Sequence, residues 1–145
     1  MAYLVDTNVA ARRVQANSPL KPVIKSAMRK LRGQGETLYI TPQVLVEFHA
    51  LTTRPVTANG WGLSPRQALL EARKIEALFP VLDETPAIFP LWRSLVRRHN
   101  VVGRQVFDAR LVAVMQAYGI PKILTLNASD FRRFSAITVV EPQNV

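Results

Sequence analysis

Apolar and polar positions alternate along this chain in two different periods, and the switches between them mark out the elements. An apolar run at residues 2–6, Ala2 to Asp6, predicts a first strand that starts the fold at once, with a helix from about Asn8. Residues 19–32 carry Val23, Ile24, Ala27, Met28 and Leu31 at helical spacing, and Gly33 and Gly35 close that helix. Thr37 to Ile40 reads as a second strand. Thr41-Pro42 then reads as an N-cap followed by proline at the first helical position, opening a helix with Val44, Phe48 and Leu51 on its apolar stripe. Residues 54–63 form a Pro/Gly-rich loop. Ser64 and Gln67 have the spacing of a capping box, and a helix follows to about Phe79 with Leu69, Ala72, Ile75 and Phe79 facing inward. Val81-Leu82-Asp83 predicts a short third strand. Residues 86–98 predict a helix with Pro90 as a kink or late start, and residues 108–118 a helix stopped by Gly119. Ile123 to Leu126 and Ile137 to Val140 predict strands four and five.

Strands separated by helices imply parallel pairing and right-handed crossovers. The expected fold class is therefore α/β: a three-layer α/β/α sandwich on a five-stranded parallel sheet. Its 145 residues suit a single domain over 1–145, with no internal repeat, low-complexity tract or linker. No apolar stretch approaches the length of a membrane span, and no basic segment leads into a signal-peptide core, so a cytoplasmic protein is expected. Without cysteine, a disulfide scaffold and a thiolate metal site are excluded.

Charge changes the picture. Nineteen Lys and Arg against ten acids give a net charge of +9, which points to a polyanionic partner, most simply a nucleic acid. Against that background four acids stand out: Asp6, Glu47, Asp108 and Asp130, each flanked by apolar residues that draw it towards a core. A buried carboxylate is costly unless paired or metal-bound. In open parallel sheets ligands bind beyond the carboxyl ends of the strands. Asp6 ends strand one, Asn127 and Asp130 follow strand four, Glu47 lies in the helix after strand two, and Asp108 opens the helix that feeds strand four. Two like charges about 4 Å apart repel by roughly 4 kcal/mol at an effective dielectric near 20, so such a cluster protonates, loosens or binds cations. Oxygen-only donors select Mg²⁺ or Mn²⁺. Zinc does not suit a chain with two histidines, His49 and His99, and no cysteine.

Taken singly, each acid has a plainer reading. Asp6 and Asp108 suit helix caps, Asp130 suits a cap for the turn into Phe131, and Glu47 suits a surface pair with an arginine. Trp61, in its Gly-rich loop, suits packing. Only the joint pattern argues for a site.

Asp6-Thr7-Asn8, Glu47, Asp108-Ala109 and the segment Thr125 to Phe131, in that order and strand context, resemble the PIN-domain pattern, and more narrowly the VapC-type toxins of bacterial toxin–antitoxin pairs. The resemblance spans essentially the whole chain. It implies a Mg²⁺- or Mn²⁺-dependent endoribonuclease, commonly a homodimer, neutralised by a small antitoxin. It implies that Asp6, Glu47 and Asp108 are metal ligands, with the fourth catalytic position falling to Asn127 or to Asp130 close behind it. Asn8 and Thr125 are placed to orient ligands or waters. Candidates to hold the RNA backbone are Arg12 and Arg13, Arg104 and Arg110, and Arg132 and Arg133. A receiver-type phosphoacceptor domain is a rival, using Asp6, Asp83 and Thr125. It has no second acid beside Asp6, and it leaves Glu47 and Asp108 without work. A PIN-like RNA-binding module without catalysis is the second rival. A dinucleotide-binding fold is disfavoured by the absence of a glycine fingerprint after strand one.

Overall fold

The computed structural model describes residues 1–145. Four parallel strands form the sheet: β1 (Ala2–Val5), β2 (Thr37–Tyr39), β3 (Lys122–Leu124) and β4 (Thr138–Val140), in the order β2-β1-β3-β4. Leu4 lies opposite Tyr39 on one side and Ile123 on the other. Successive residues of a strand point to opposite faces, and Tyr3, Leu4 and Val5 are all buried. Both faces of the sheet are therefore covered, as parallel sheets require.

Six helices supply that cover: α1 (Thr7–Val14), α2 (Lys21–Gly33), α3 (Pro42–Thr53), α4 (Pro65–Leu78), α5 (Ile88–His99) and α6 (Gln105–Tyr118). α5 packs on α6, α3 on α4, and α1 against α2, α3 and α4. Their ends follow local chemistry. Thr41 caps α3 through Val44 N–H, with Pro42 in the first turn. Ser64 and Gln67 exchange both bonds of a capping box at α4. Gly119, at φ +67°, adopts the left-handed conformation that ends α6.

Four predicted features are corrected. The sheet has four strands, not five: of the expected third strand only Val81 pairs, in a single parallel bridge to Ile40. The pairing stops because Asp83 turns its carbonyl to the Tyr118 hydroxyl, which donates at 2.7 Å, and Pro86 follows shortly. On α4 the inward stripe is Ala68, Ala72, Ile75 and Phe79, while Leu69 is 60% exposed. The spacing 68-72-75-79 keeps one face, and Leu69 stands about 100° round from it. Helix α6 begins at Gln105, so Asp108 lies within the first turn and is not its cap. Pro90 falls in the first turn of α5, where its missing N–H breaks no helical bond, so it makes neither kink nor late start.

Candidate metal and active site

Asp6 is the innermost group. It ends β1, caps α1 and is 6% exposed. Its Oδ1 accepts from Thr7 N–H at 2.8 Å and its Oδ2 from the Thr125 hydroxyl at 2.8 Å. The capping role and the site position are thus one arrangement. Burial pushes the carboxyl up to about 6; the bonds from Thr125 and Thr7 work against that, and the charges of Glu47 and Asp130 add to it.

Thr125 follows β3 and is itself buried. Its Oγ1 also accepts from Asn127 N–H at 3.0 Å, so one hydroxyl ties the loop after β3 to the end of β1. Asn8 completes the tie: its Oδ1 accepts from Leu126 N–H at 3.3 Å.

Asp108 stands across from Asp6. Burial comes first among the causes that push its carboxyl up to about 7, followed by the charges of Asp6, Asp130 and Glu47, with Arg104 opposing. All four acids therefore share one field. An open cavity of about 310 Å³ is lined by Glu47, Arg104, Gln105, Phe107, Asp108 and Asp130; Asp6 is buried outside that lining, and its charge acts on Asp108.

Glu47 is half-buried on α3 and accepts from the Thr7 hydroxyl and from Gln43 Nε2. Asp130 closes a short 3-10 turn, Ala128–Asp130, and its side chain caps nothing: Phe131 N–H donates to the Ala128 carbonyl instead. Asp130 faces the cavity, whereas the Asn127 side chain is exposed and lines none of it.

The arginines divide. Arg104 is exposed at the cavity rim beside Asp108. Arg132 is exposed and free of hydrogen bonds, and Arg133 donates to Gln105 Oε1 at 2.7 Å. Arg110 is bound to Gln43 at 3.0 Å and to Glu84 at 2.6 Å. Arg12 and Arg13 lie in the last turn of α1, roughly 8–10 Å along its axis from Asp6. Arg12 bonds Gln15, and the Arg13 Nε is buried without a partner. His99 meets Phe134 edge-on and Trp61 meets Phe48 edge-on, so both serve packing.

Two residues at the site escaped sequence reasoning. Thr7 bonds Glu47, and buried Gln43 joins Glu47, the Phe107 carbonyl and Arg110 in one network. The available signal for Gln43 was its place four residues before Glu47 on the same face of α3.

No three acidic side chains stand close enough to hold an ion by themselves. That fits Mg²⁺ or Mn²⁺ better than a caged ion, since magnesium keeps several waters and takes one or two carboxylates together with phosphate oxygens. The donors are all oxygen, and a cation would offset both the burial that chiefly lifts Asp6 and Asp108 and the repulsion from neighbouring acids that adds to it.

The receiver reading fails on geometry. Asp83 follows the Val81 bridge at the far edge of the sheet, exposed and engaged with Tyr118, away from the acid cavity.

Ribonuclease VapC48 of Mycobacterium tuberculosis (strain CDC 1551 / Oshkosh) is 25% identical over 144 residues, 98% of each chain. Among solved structures, a chain of VapBC2 from Rickettsia felis, bound to a DNA fragment from their promoter, superposes with a TM-score of 0.74 at 14% identity, covering 97% of this chain and 98% of that one. DNA-bound VapBC from Salmonella typhimurium gives 0.70 at 18% identity, with 98% of each chain covered. At such identities the structures speak for the fold alone. The family model for the PIN domain matches residues 3–137. That span runs from within β1 to the residue before β4 and takes in all four acids, and on it the chain belongs to the PIN domain family.

Proposed function

We propose that this protein is a Mg²⁺- or Mn²⁺-dependent endoribonuclease, the toxin of a type II pair with a small antitoxin. The observation that carries the reading is that Glu47, Asp108 and Asp130 line one cavity, with buried Asp6 close enough that burial and these charges together raise the Asp108 carboxyl. Such an arrangement is unfavourable for stability and marks a functional site, and a bound cation offsets the repulsion among the acids. The VapC48 relative and the VapBC complexes supply the toxin–antitoxin part of the proposal.

Asp6, Glu47, Asp108 and Asp130 would surround the ion, one or two of them bound directly and the others through its waters, and the ion would supply Lewis-acid stabilisation of the phosphate and lower the pKa of a bound water. The chain's own residues do the rest. Thr125 and Thr7 fix Asp6 in one orientation. Thr7 and Gln43 hold both oxygens of Glu47. Arg104 at the rim offers a cation to the phosphate on the scissile side, and exposed Arg132 one to the flanking backbone. A homodimer is part of the proposal, with each copy carrying its own set of four acids.

The test incubates the purified protein with structured RNAs. Cleavage is expected with Mg²⁺ or Mn²⁺, lost in EDTA and restored by added metal. Undiminished cleavage in EDTA would end the metal-dependent reading. Tight RNA binding without cleavage under any metal would favour a non-catalytic RNA-binding module.

A further inference from the structure

Beside the acid cavity lies a second one, of about 270 Å³, lined by Glu84, Thr85, Ile88, Phe89, Trp92 and Arg110. It falls just below the roughly 300 Å³ at which small-molecule clefts begin, room for one flat ring system. Its floor is aromatic. Phe89 and Trp92 are stacked, with centroids 5.6 Å apart and planes 24° from parallel. The Trp92 ring is fixed by its Nε1–H, which donates to the Val106 carbonyl at 2.8 Å. Phe89 is 56% exposed, an unusual position for so large an apolar ring, and Arg93 lies over it at 4.7 Å.

The wall is polar. Arg110 donates to Glu84 Oε2 at 2.6 Å, and the other Glu84 oxygen accepts no hydrogen bond. The Thr85 hydroxyl in the same wall has no partner. The two cavities are linked by one side chain: Gln43 donates to Glu47 in the acid site and accepts from Arg110 in this one. Arg110 reaches this wall from α6, and the bond it makes to Gln43 is what places the second cavity next to the acid site.

An aromatic floor, a wall carrying a free carboxylate oxygen beside a guanidinium, and Arg93 over the Phe89 ring match a nucleobase better than a peptide. We propose that this cavity is a subsite for a guanine flanking the scissile phosphate. The proposal rests on the ribonuclease reading for its place in catalysis. The base packs against the Phe89 and Trp92 rings that line the cavity, the Glu84 carboxylate accepts from the guanine N1–H and N2–H, and Arg110 donates to O6. Adenine presents no such donor pair at that edge, and uracil only one donor.

The experiment measures binding without cleavage. Intact protein carrying Trp61→Phe, in EDTA, is titrated with the RNA tetramers UGUU, UAUU, UCUU and UUUU while Trp92 fluorescence is followed. Saturable quenching is expected, with UGUU at least about 5-fold tighter than the rest. Phe89→Ala should weaken all four by about 5-fold or more, and Glu84→Gln should erase the preference for UGUU while leaving quenching by the other three. Equal binding of the four RNAs, or unchanged binding by Phe89→Ala, overturns the subsite. So does a Phe89→Ala protein that binds RNA normally but elutes as a smaller species, which would assign the face to a second copy of the chain. Because no cutting is required, a protein that binds UGUU as expected yet never cleaves RNA loses the ribonuclease reading and keeps the subsite.

Discussion

The Thr125 hydroxyl donates to Asp6 Oδ2 across 119 positions of sequence, and both groups are buried. One bond thus joins the ends of β1 and β3 and holds the innermost acid of the site in its charged form against the cost of burial. Thr125→Val keeps the shape and removes the donor. It should cost about 1–2 kcal/mol of stability and at least about 10-fold in cleavage rate, as loss of an orienting partner does at metal sites. Thermal melts and single-turnover cleavage check both, and a fully active variant would show that Thr125 serves the fold alone.

Stability of the metal-free protein should depend on pH in an unusual sense. The Asp6 and Asp108 carboxyls lie at about 6 and about 7, above their ordinary 3.8. For groups raised on folding, the folded state binds the proton more tightly. Their contribution is therefore fully present below 3.8 and is lost as pH rises through about 6 for Asp6 and about 7 for Asp108. Melting temperature in EDTA should rise as pH is lowered from about 8 to about 5.5, and Asp108→Asn should flatten that rise. A Tm that falls over the same interval would contradict the burial and repulsion that raise these acids.

Asp130 and Asn127 should behave differently. Asp130 faces the acid cavity and caps nothing, while Asn127 is exposed outside it. Asp130→Ala should lower cleavage by about 10-fold or more with a stability change below about 0.5 kcal/mol. Asn127→Ala should remain close to fully active, since only its backbone N–H bonds Thr125. Paired melts and metal-titrated cleavage decide it, and the reverse ranking would give the fourth position to Asn127.

RNA affinity should fall steeply between about 50 and 200 mM salt, because a net charge of +9 implies several phosphate contacts. Arg104→Ala with Arg132→Ala should reduce the log–log salt slope by about 2. Arg12→Ala should leave it nearly unchanged, since Arg12 is committed to Gln15 at the far end of α1. Filter binding over a salt series reads both slopes.

The sequence carried the order of elements because their signals are local. Thr41-Pro42, the Ser64–Gln67 box and Gly119 each act within a turn or two; the first two start α3 and α4 where expected, and the third ends α6. Non-local matters were less legible. Val81 to Asp83 has the composition of a strand, but whether it pairs beyond one bridge depends on the Tyr118 hydroxyl, 35 residues away from Asp83. Leu69 and Ala68 are equally apolar neighbours, and only the direction of α4 against α3 decides which is buried. The gathering of Asp6, Glu47, Asp108 and Asp130 was readable because strand ends in parallel sheets converge. The Gln43 network was less so: the spacing to Glu47 hints at one contact, but its other partners, the Phe107 carbonyl and Arg110, are 64 and 67 positions away.

The most direct measurement compares Asp108→Asn with the parent protein in Mg²⁺-dependent cleavage of one structured RNA, alongside melts of both proteins in EDTA at neutral pH. The substitution removes a charge that burial and three carboxylates disfavour. The account predicts a fall in cleavage of at least about 100-fold together with a melting temperature equal to or above the parent's. A folded Asp108→Asn protein that cleaves at the parent's rate would contradict the claim that these four acids form the catalytic centre.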